Sequence, residues 1–343
     1  MGVPPRRGSW ARRGRWAGGL LCAATTLALA GCGGDENTLD PARQPQHSIA
    51  HLWWWVMTGA WIGFAVVCAF LFLGWLRRNR SGLPFGGGDR AGTILVIGLG
   101  VVTPLVVLTA LFFWSNVTVL KSTAAPDPRS TQLTIDVIGH QWWWEVRYPG
   151  SKAVTANEIH IPVGARVNVV ATTADVIHSF WIPELNRKID TVPGMRNRLL
   201  LNADRAGVFT GECSEFCGLQ HAHMTAVVVA EPQADFRRWL ANMAKPARAP
   251  ATAQTQRGRG FFLSECGGCH QLRGSDSRAR IGPDLTHVAS RMTLAAGTLP
   301  NTPAALAAWI ADPQHSKPGA KMPQVPLTRA QIADLVAYLR TLE

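Results

Sequence analysis

The twelve residues CSEFCGLQHAHM, residues 213–224, bring together two cysteines, two histidines, a methionine and a glutamate. Runs rich in valine, isoleucine and threonine stand on both sides of this stretch, with glycine, proline and other turn residues between them. Short runs at this spacing predict the strands of a β-sandwich or barrel of about one hundred residues. PQADFRRWLANMA, residues 232–244, predicts a helix that closes this domain, which we assign to residues 130–243.

The residue types in this stretch favour copper. A one-copper site of the blue-copper type needs one thiolate, two imidazoles and a weak thioether. Cys217, His221 and Met224 supply one of each type within a single loop. The second imidazole has to come from another strand, and DVIHSFWIP offers His178. These four residues are sufficient for one copper ion on a cupredoxin-like sandwich.

Cys213 is left unused by this one-copper interpretation. A second thiolate four residues before Cys217 can bridge to a second copper ion, with one histidine capping each metal and Met224 as a weak ligand on one side. The backbone carbonyl of Glu215 has the right position on the other side. A disulfide between the two cysteines is the remaining alternative, because an oxidising compartment permits it. The other histidines of the domain are predicted to be structural, exposed or neighbours of the ligands: His140, His160 and His223.

CGGCH, residues 266–270, is the covalent attachment motif for c-type haem. Its two thiols, Cys266 and Cys269, bond to the haem, and His270 binds the iron. A zinc site is the alternative interpretation, and it would require a second pair of cysteine or histidine ligands. The motif therefore predicts a haem c domain.

The composition changes just before this motif. KPARAPATAQTQ, residues 245–256, predicts a linker because it is rich in proline and alanine. Residues 257–343 have helical spacing, and Thr328 is a candidate cap for the last helix, so we expect a small all-α domain. In its GAKMPQVP loop, Met322 is the candidate second axial ligand, whereas Met292 is predicted to lie in the core. A histidine–methionine pair raises the reduction potential and suits electron transfer.

The first residues predict an export signal. Arginines precede a short apolar run that ends in LAGC, residues 29–32, which resembles the lipobox of bacterial lipoproteins. Residues 1–31 therefore predict a signal peptide, and Cys32 the lipidated first residue of the mature chain. Cleavage without lipidation, or an uncut anchor, is the alternative. Residues 33–50 are polar and predict a flexible tether.

Two apolar segments predict a transmembrane hairpin over residues 51–119. The spans, at about residues 52–76 and 92–114, are uncharged and long enough to cross a hydrocarbon core of about 30 Å. Arginines between the spans mark the cytoplasmic side, so the domains that follow lie on the outer face. The net charge of +12 is concentrated near the N-terminus, where no nucleic-acid motif accompanies it, and we expect no nucleic-acid partner.

Residues 45–240 resemble subunit II of haem–copper cytochrome c oxidases. The resemblance is carried by two spans followed by GHQWWWEVRYPG, DVIHSFWIPELNRKIDTVPG and GECSEFCGLQHAHM. With the haem domain at residues 257–343, the domain order resembles the cytochrome-c-fused, caa-type oxidases. The implied fold is a multidomain membrane protein with a two-helix transmembrane hairpin, an all-β cupredoxin-like sandwich and a small all-α cytochrome c domain.

The resemblance also implies roles for individual residues. The Glu215 carboxylate would reach a magnesium ion at the contact with subunit I. Trp142 would be the tryptophan that receives electrons, whereas Trp143 and Trp144 are predicted to pack. Asp190 would lie near the cytochrome-docking face. The implied ligands of a binuclear copper A centre are His178, Cys213, the Glu215 carbonyl, Cys217, His221 and Met224.

Two further positions follow from the resemblance. IGPDL, residues 281–285, resembles the proline loop of cytochromes c, which implies that the Pro283 carbonyl orients His270. The second span departs from the family, which often has a glutamate about two turns before the proline. This chain has Ile97 there, and Asp89 lies too far upstream to replace it. Proton uptake through this subunit would therefore need another residue.

The implied function is electron transfer to a terminal oxidase. The chain would accept electrons through its own haem c and two copper ions. It would pass them to subunit I, which reduces oxygen to water and pumps protons. The small subunit of a nitric oxide reductase could carry the same copper hairpin, and copper-delivery proteins also use paired cysteines. A quinol oxidase subunit would lack both metal sites.

The resemblance finally implies a location and partners. The chain would be a multi-pass protein of the bacterial inner membrane, with its copper and haem domains on the periplasmic face. Its partners would be subunit I, the other oxidase subunits and membrane lipid. The external electron donor would be a cytochrome c or the quinol–cytochrome c reductase. A magnesium ion shared with subunit I would complete the cofactors.

Overall fold

The structure, a computed structural model, describes residues 36–39, 46–77 and 89–343. The predicted signal peptide, the lipidation site Cys32 and most of the predicted tether lie outside the described residues. Most of the arginine-rich connection between the two apolar segments lies outside them as well.

Two long apolar helical segments precede the folded domains. Helix α1 (Gln46–Arg77) and the continuous helical run Gly92–Leu120 have mean hydropathies of 2.2 and 2.6 over their most apolar windows, and neither window is buried within the chain. Helices of this length and composition can cross a bilayer. The sequence prediction of two apolar helices is confirmed, and both are longer than the predicted spans.

The second apolar segment continues through a proline. It consists of α2 (Asp89–Ile97), a π-helical turn, α3 (Thr103–Trp114), a second π-helical turn and α4 (Lys121–Thr123). Pro104 cannot donate a backbone hydrogen bond, and its ring opposes regular helix geometry. The first π-helical turn absorbs this mismatch, because both the backbone N–H and the hydroxyl of Thr103 donate to Gly98 O.

The middle of the chain folds into two five-stranded sheets, which confirms the predicted β-sandwich. The first sheet has the order β3-β2-β1-β5-β8 and contains β1 (Leu133–His140), β2 (Trp143–Arg147), β3 (Val154–Ala156), β5 (Val167–Thr173) and β8 (Asn197–Leu201). The second has the order β4-β10-β9-β6-β7 and contains β4 (Glu158–Pro162), β6 (His178–Trp181), β7 (Ile189–Thr191), β9 (Gly207–Cys213) and β10 (Thr225–Glu231).

The core lies between the sheets and follows the alternation of the strands. Along β9, Phe209, Gly211 and Cys213 are buried, whereas the residues between them are partly accessible. Because side chains alternate between the faces of a strand, this period directs Cys213 into the sandwich. Helix α5 (Gln233–Met243) closes the domain, as predicted, and its Trp239 ring stacks on His160 at 4.0 Å.

The C-terminal part of the chain is mainly helical, as predicted. A two-residue ladder between β11 (Thr293–Leu294) and β12 (Leu299–Pro300) interrupts it. Thr328 caps the last helix in a capping box with Gln331. The helices are α6 (Ala253–Phe261), which continues as a π-helical turn to Cys266, α7 (Pro303–Ala311), α8 (Pro313–Ser316) and α9 (Arg329–Leu339).

The predicted linker, residues 245–256, is more ordered than its composition suggested. Helix α6 begins at Ala253, inside the predicted linker, because Thr252 and Thr255 form a capping box. Upstream, Ala247 N donates to Arg273 O at 2.8 Å, and the Ala247 side chain packs against the C-terminal core. The segment therefore lies along the C-terminal domain instead of forming a free tether, and the predicted domain start at residue 257 falls within α6.

Helices α6 and α9 cross in close contact at Gly258. A Cβ at this position would lie 2.0 Å from Asp334 O and 2.8 Å from Tyr338 Cβ. Beside it, Arg257 makes a two-pronged ion pair with Asp334, with N–O distances of 2.7 and 3.0 Å. The absence of a side chain at Gly258 is therefore what lets the two helices approach.

We expect Gly258→Ala to destabilise the C-terminal domain by about 1–3 kcal/mol, because overpacking forces the helices apart. Gly260→Ala is the matched control, since a Cβ at Gly260 of the same helix would meet no atom of the described residues within 4 Å. That control should stabilise α6 by up to about 1 kcal/mol through helix propensity. Amide exchange of α9 in a urea series measures both changes. Equal protection of α9 in the two variants would contradict the prediction.

Candidate copper and haem sites

The two cysteines of the 213–224 stretch are close but not bonded. Their Sγ atoms lie 3.8 Å apart, whereas a disulfide requires about 2.05 Å. Cys213 ends β9, Cys217 lies in the turn after it, and each is 4% exposed. The structure therefore presents two buried free thiols where the disulfide alternative required a bond.

One imidazole faces each thiol. His178 Nδ1 lies 3.9 Å from Cys213 Sγ, and His221 Nδ1 lies 3.7 Å from Cys217 Sγ. His178 comes from β6, which pairs with β9 so that Phe180 stands opposite Cys213. The sheet register thus brings together ligands that are separated by 35 positions in the sequence.

Two weaker donors complete the cluster. Glu215 O lies 3.3 Å from Cys213 Sγ, and Met224 Sδ lies 3.9 Å from Cys217 Sγ. All six predicted donor atoms are therefore brought together. A set of two thiols, two imidazoles, a thioether and a carbonyl suits soft copper ions, and the two bridging sulfurs fit a pair of them. His223 is exposed, as predicted.

The protonation of the cluster also suits a metal. The hydrogen bond between the two thiols is the main influence on Cys213 and holds the pKa of that thiol far below its ordinary value. The two sulfurs therefore share a proton, since loss of the second proton would put two negative charges 3.8 Å apart. Metal ligands must be deprotonated, so a bound cation would replace these protons.

Asp175 is a residue of this site that the sequence analysis missed. Its Oδ1 accepts from His178 Nε2 at 2.9 Å, which leaves Nδ1 free to face Cys213. Burial raises the pKa of Asp175, but hydrogen bonds from His178 and from Gln141 N outweigh burial and leave the pKa lowered. The carboxylate therefore stays ionised and fixes the orientation of the imidazole. Its spacing three residues before His178 was the available signal.

Trp142 contacts the copper loop directly. Its Nε1 donates to Cys217 O at 3.0 Å, and Gln141 Nε2 donates to the same oxygen at 2.9 Å. Gly218 makes room for this contact, because a Cβ there would lie 3.1 Å from the indole, and its φ of 115° also favours glycine. Trp142 is thus fixed against the loop that carries the thiols.

The CGGCH motif begins at Cys266, the last residue of the π-helical turn that continues α6, and runs on through turns at the edge of a cavity. His270 Nδ1 lies 2.8 Å from Pro283 O, which orients the imidazole as expected for the proline loop. Gly282 allows this approach, since a Cβ there would lie 2.5 Å from the ring. Burial is the largest influence on His270 and lowers its pKa, which favours the neutral form that binds iron.

The cavity fits a haem. Cys266, Cys269, His270 and Met322 all line it, whereas Met292 is 48% exposed and is not among the lining residues. The prediction that Met292 lies in the core is therefore wrong: it stands at the surface just before the β11–β12 ladder. Apolar side chains form much of the remaining wall, among them Phe262, Leu294, Leu306, Ile310, Leu335 and Leu339.

One buried cation in this wall has an unused donor. Arg291 is 9% exposed and lines the cavity, and its Nε has no hydrogen-bond partner among the described residues. Its Nη2 donates to Asp284 O, but a buried Nε–H without a partner is costly, and a carboxylate such as a haem propionate would satisfy it. The sequence analysis missed this residue, because a single arginine in a loop carries no signal of its own.

The copper domain closes one side of the same cavity. His140, Gln141, Trp142 and Trp143 line it together with the haem motif. The Trp143 ring stacks on His140 at 4.3 Å, which is a packing contact of the kind predicted for it. Trp144 is fully buried and packs against His178 and Phe180, as expected. Two other residues with predicted roles have exposed side chains: Asp190 on β7 and Glu215.

This fold and these sites define a class: membrane-anchored redox proteins that join a copper-binding β-sandwich to a c-type cytochrome. Residues 151–231 match the family model described as cytochrome c oxidase subunit II, periplasmic domain, and residues 255–343 match the model for cytochrome c. The sequence relatives, cytochrome c oxidase subunit 2 proteins, identify the family.

The relative from Alkalihalophilus pseudofirmus is 35% identical over 333 residues, covering 93% of this chain and 94% of the relative. The relative from Bacillus subtilis is 29% identical over 323 residues, covering 88% and 90%. The crystal structure of the periplasmic domain of subunit II of cytochrome oxidase from Bradyrhizobium japonicum is 32% identical. It matches with a TM-score of 0.33 and covers 35% of this chain and 96% of that one.

The chain belongs to the cytochrome c oxidase subunit 2 family, in the form with a fused cytochrome c domain. It is therefore a subunit of a haem–copper oxidase, an oxidoreductase complex, and is anchored in the membrane with periplasmic domains. Its two domains imply copper A and haem c as cofactors, and its family implies partnership with subunit I.

We expect Asp175→Ala to weaken copper binding about 10- to 100-fold, because His178 loses the partner that fixes its ring. Asp190→Ala is the control, since that carboxylate is exposed on β7. Competition with a chelator of known copper affinity measures both variants. Equal affinities in the two variants would show that the Asp175–His178 hydrogen bond does not support the site.

Proposed function

We propose that the chain is the electron-accepting subunit of a cytochrome c oxidase. One electron at a time passes from an external donor to the cytochrome c domain, then to the copper domain and on to subunit I. Each transfer oxidises the site that the electron leaves and reduces the next, and subunit I reduces oxygen to water with proton pumping. The observation that carries this proposal is Trp142, which lines the haem cavity and hydrogen-bonds to the copper loop.

The copper domain would hold two copper ions. When bound, the copper pair supplies a one-electron carrier that the polypeptide lacks. The residues around it would keep it away from water, since His178 and Met224 are fully buried and both thiols nearly so. Fixed ligands suit a site that must change charge without rearranging. The proposed ligands are His178, Cys213, the Glu215 carbonyl, Cys217, His221 and Met224.

The cytochrome domain would hold one haem c. When bound, the haem would supply the second one-electron carrier, and Cys266 and Cys269 would hold it covalently. His270 and Met322 would be its axial ligands, and both line the cavity. The Pro283 carbonyl holds the His270 ring in place through its 2.8 Å hydrogen bond. Arg291 would neutralise a propionate at the buried end.

The membrane part and the subunit contacts complete the proposal. We assign α1 and the Gly92–Leu120 run to two membrane passes, with both periplasmic domains following on the outer face. The exposed Glu215 carboxylate would share a magnesium ion with subunit I. Cys32, outside the described residues, would carry a lipid. The external donor would be a cytochrome c or the quinol–cytochrome c reductase. Proton uptake through this subunit would need a residue other than Ile97, whose side chain cannot carry a proton.

We expect the purified oxidase to show the electron paramagnetic resonance signal of one unpaired electron shared by two copper nuclei. Two equivalent nuclei of spin three-halves give a seven-line hyperfine pattern. Cys213→Ser removes one bridging sulfur and should abolish this pattern. The haem absorption bands should stay unchanged in the variant, because the haem attachment site lies in the other domain.

A variant at an unrelated thiol provides the control for that experiment. Cys68→Ser changes an exposed cysteine in the first apolar helix and should preserve both spectra. A four-line signal from a single copper in the unmodified oxidase would rule out the binuclear assignment. Loss of the haem bands in Cys213→Ser would mean that the variant had unfolded more than its copper loop.

We also expect Trp142→Phe to slow electron transfer from haem c to copper at least about tenfold. The phenyl ring keeps the apolar contact but cannot make the hydrogen bond to Cys217 O. A hydrogen bond of this kind contributes about 1 kcal/mol, and the substitution also removes the indole itself. Flash reduction of haem c, followed by the copper absorption band, measures the rate. Trp143→Phe is the comparison variant, and an equal effect of the two would contradict a specific role for Trp142.

A further inference from the structure

Lys317 of the cytochrome domain is buried against the copper domain. It follows helix α8, and it is 3% exposed. Its Nζ donates to three main-chain oxygens: Trp142 O at 2.9 Å, His223 O at 2.6 Å and Ala295 O at 2.8 Å. Two of these oxygens belong to the copper domain, and the third belongs to the loop after β11 in its own domain.

An ammonium has three donors, and all three are used here. Burial of a cation without water is expensive, so it persists only where its hydrogen bonds are complete. Desolvation lowers the pKa of Lys317 to about 7, against smaller opposing effects from Cys217 and Glu212. Removal of the ammonium would leave buried carbonyl groups on both domains without a partner, and each such group is costly.

The two oxygens of the copper domain that accept from Lys317 lie next to its redox site. Trp142 O belongs to the residue whose indole contacts Cys217 O and lines the haem cavity. His223 O belongs to the copper loop, one residue before Met224. One ammonium therefore ties the proposed electron path and the ligand loop to the cytochrome domain.

The segment that carries Lys317 also carries Met322. Gln314 Nε2 donates to both Ala320 O and Met322 O, at 2.8 and 3.0 Å, so the loop is held as one unit. Lys317 and Met322 belong to one loop, but the Gln314 bonds that hold Met322 do not involve the Lys317 side chain. The three hydrogen bonds of Lys317, which we call the clamp, are made by the part of the cytochrome domain that faces the copper domain.

Two further hydrogen bonds join the copper domain to main-chain oxygens of the cytochrome domain near Lys317. Gln220 Nε2 donates to Pro318 O at 2.7 Å, and Thr225 N donates to Ala296 O at 3.2 Å. By contrast, Lys321 pairs with Asp175 at 3.3 Å, and its side chain is 57% exposed. Exposed pairs of this kind are screened by salt, whereas buried hydrogen bonds are screened much less.

We propose that Lys317 is the positioning residue that docks the cytochrome c domain on the copper domain. It fixes Trp142 and the copper loop against the haem cavity through main-chain carbonyls, and the docked state therefore persists at high ionic strength. This proposal rests on the proposed function for its consequence, which is the rate of haem-to-copper transfer. The docking itself can be measured without electron transfer.

The first measurement is hydrogen exchange in the intact oxidase. We expect Lys317→Met to speed exchange at least tenfold at Thr225 N, whose acceptor lies in the cytochrome domain, and in residues 292–300. Lys245→Met is the matched control, because that lysine is exposed and bonds to Asn242 Oδ1 at 3.2 Å. Exchange in Lys317→Met equal to that in the control would overturn the docking role, whatever the cofactors do.

The second measurement is the rate of electron transfer after flash reduction of haem c, at low and high salt. We expect at least a tenfold loss in Lys317→Met at both salt concentrations, with unchanged copper and haem spectra. Lys321→Gln should lose much less rate than Lys317→Met at both salt concentrations, because its exposed ion pair contributes little to the docked state. The unmodified oxidase should keep its rate as salt rises.

The outcomes separate the proposals. Unchanged transfer in Lys317→Met, or a steep fall with salt in the unmodified oxidase, would overturn the clamp. An altered copper spectrum in Lys317→Met would also overturn it, because the lysine would then support the copper loop itself and not the docking. Absence of the two-copper signal in the unmodified oxidase would instead defeat the proposed function, and the exchange experiment would still decide the clamp.

Discussion

The carbonyl group of Cys217 is the point on which the two redox sites depend. It accepts hydrogen bonds from Gln141 Nε2 and Trp142 Nε1, at 2.9 and 3.0 Å, and it belongs to a residue whose thiol faces the copper position. The absence of a side chain at Gly218 leaves room for this contact, because a Cβ there would crowd the indole at 3.1 Å. Since the same indole forms part of the haem cavity, the copper loop and the cavity wall are one connected structure.

The parts that sequence reasoning predicted are those in which chemistry is local. Cys213, Cys217, His221 and Met224 share one loop, and soft ligands at such spacing have few other uses. The haem motif is equally short. His178 was the one distant ligand, and it could be named because it stands in a strand-like run. The pairing of β6 with β9 then brings it to Cys213.

The residues that were missed act through contacts between distant parts of the chain. Arg291 and Lys317 are types that usually lie at the surface, and nothing in their neighbours shows that they become buried. Asp175 stays partly accessible, and only its spacing from His178 pointed to its role. The order of the predicted linker, residues 245–256, was missed for a related reason. Its proline- and alanine-rich composition describes how the segment behaves as a free chain. The hydrogen bond from Ala247 N to Arg273 O forms only against the folded C-terminal domain. Met292 was misplaced because a lone methionine in a sequence resembles a core residue.

The interface between the copper domain and the cytochrome domain is joined by a buried ammonium group. Interfaces between domains of one chain are commonly small and polar, and domain motion is the default. Here the fused chain already keeps the cytochrome domain at a high local concentration. Contacts therefore have to select an orientation more than to supply affinity. A buried ammonium is suited to that task, because its three hydrogen bonds are satisfied only when Trp142 O, His223 O and Ala295 O converge. Two of those oxygens lie beside the ligand loop, so the docked orientation depends on the order of the loop that would hold copper.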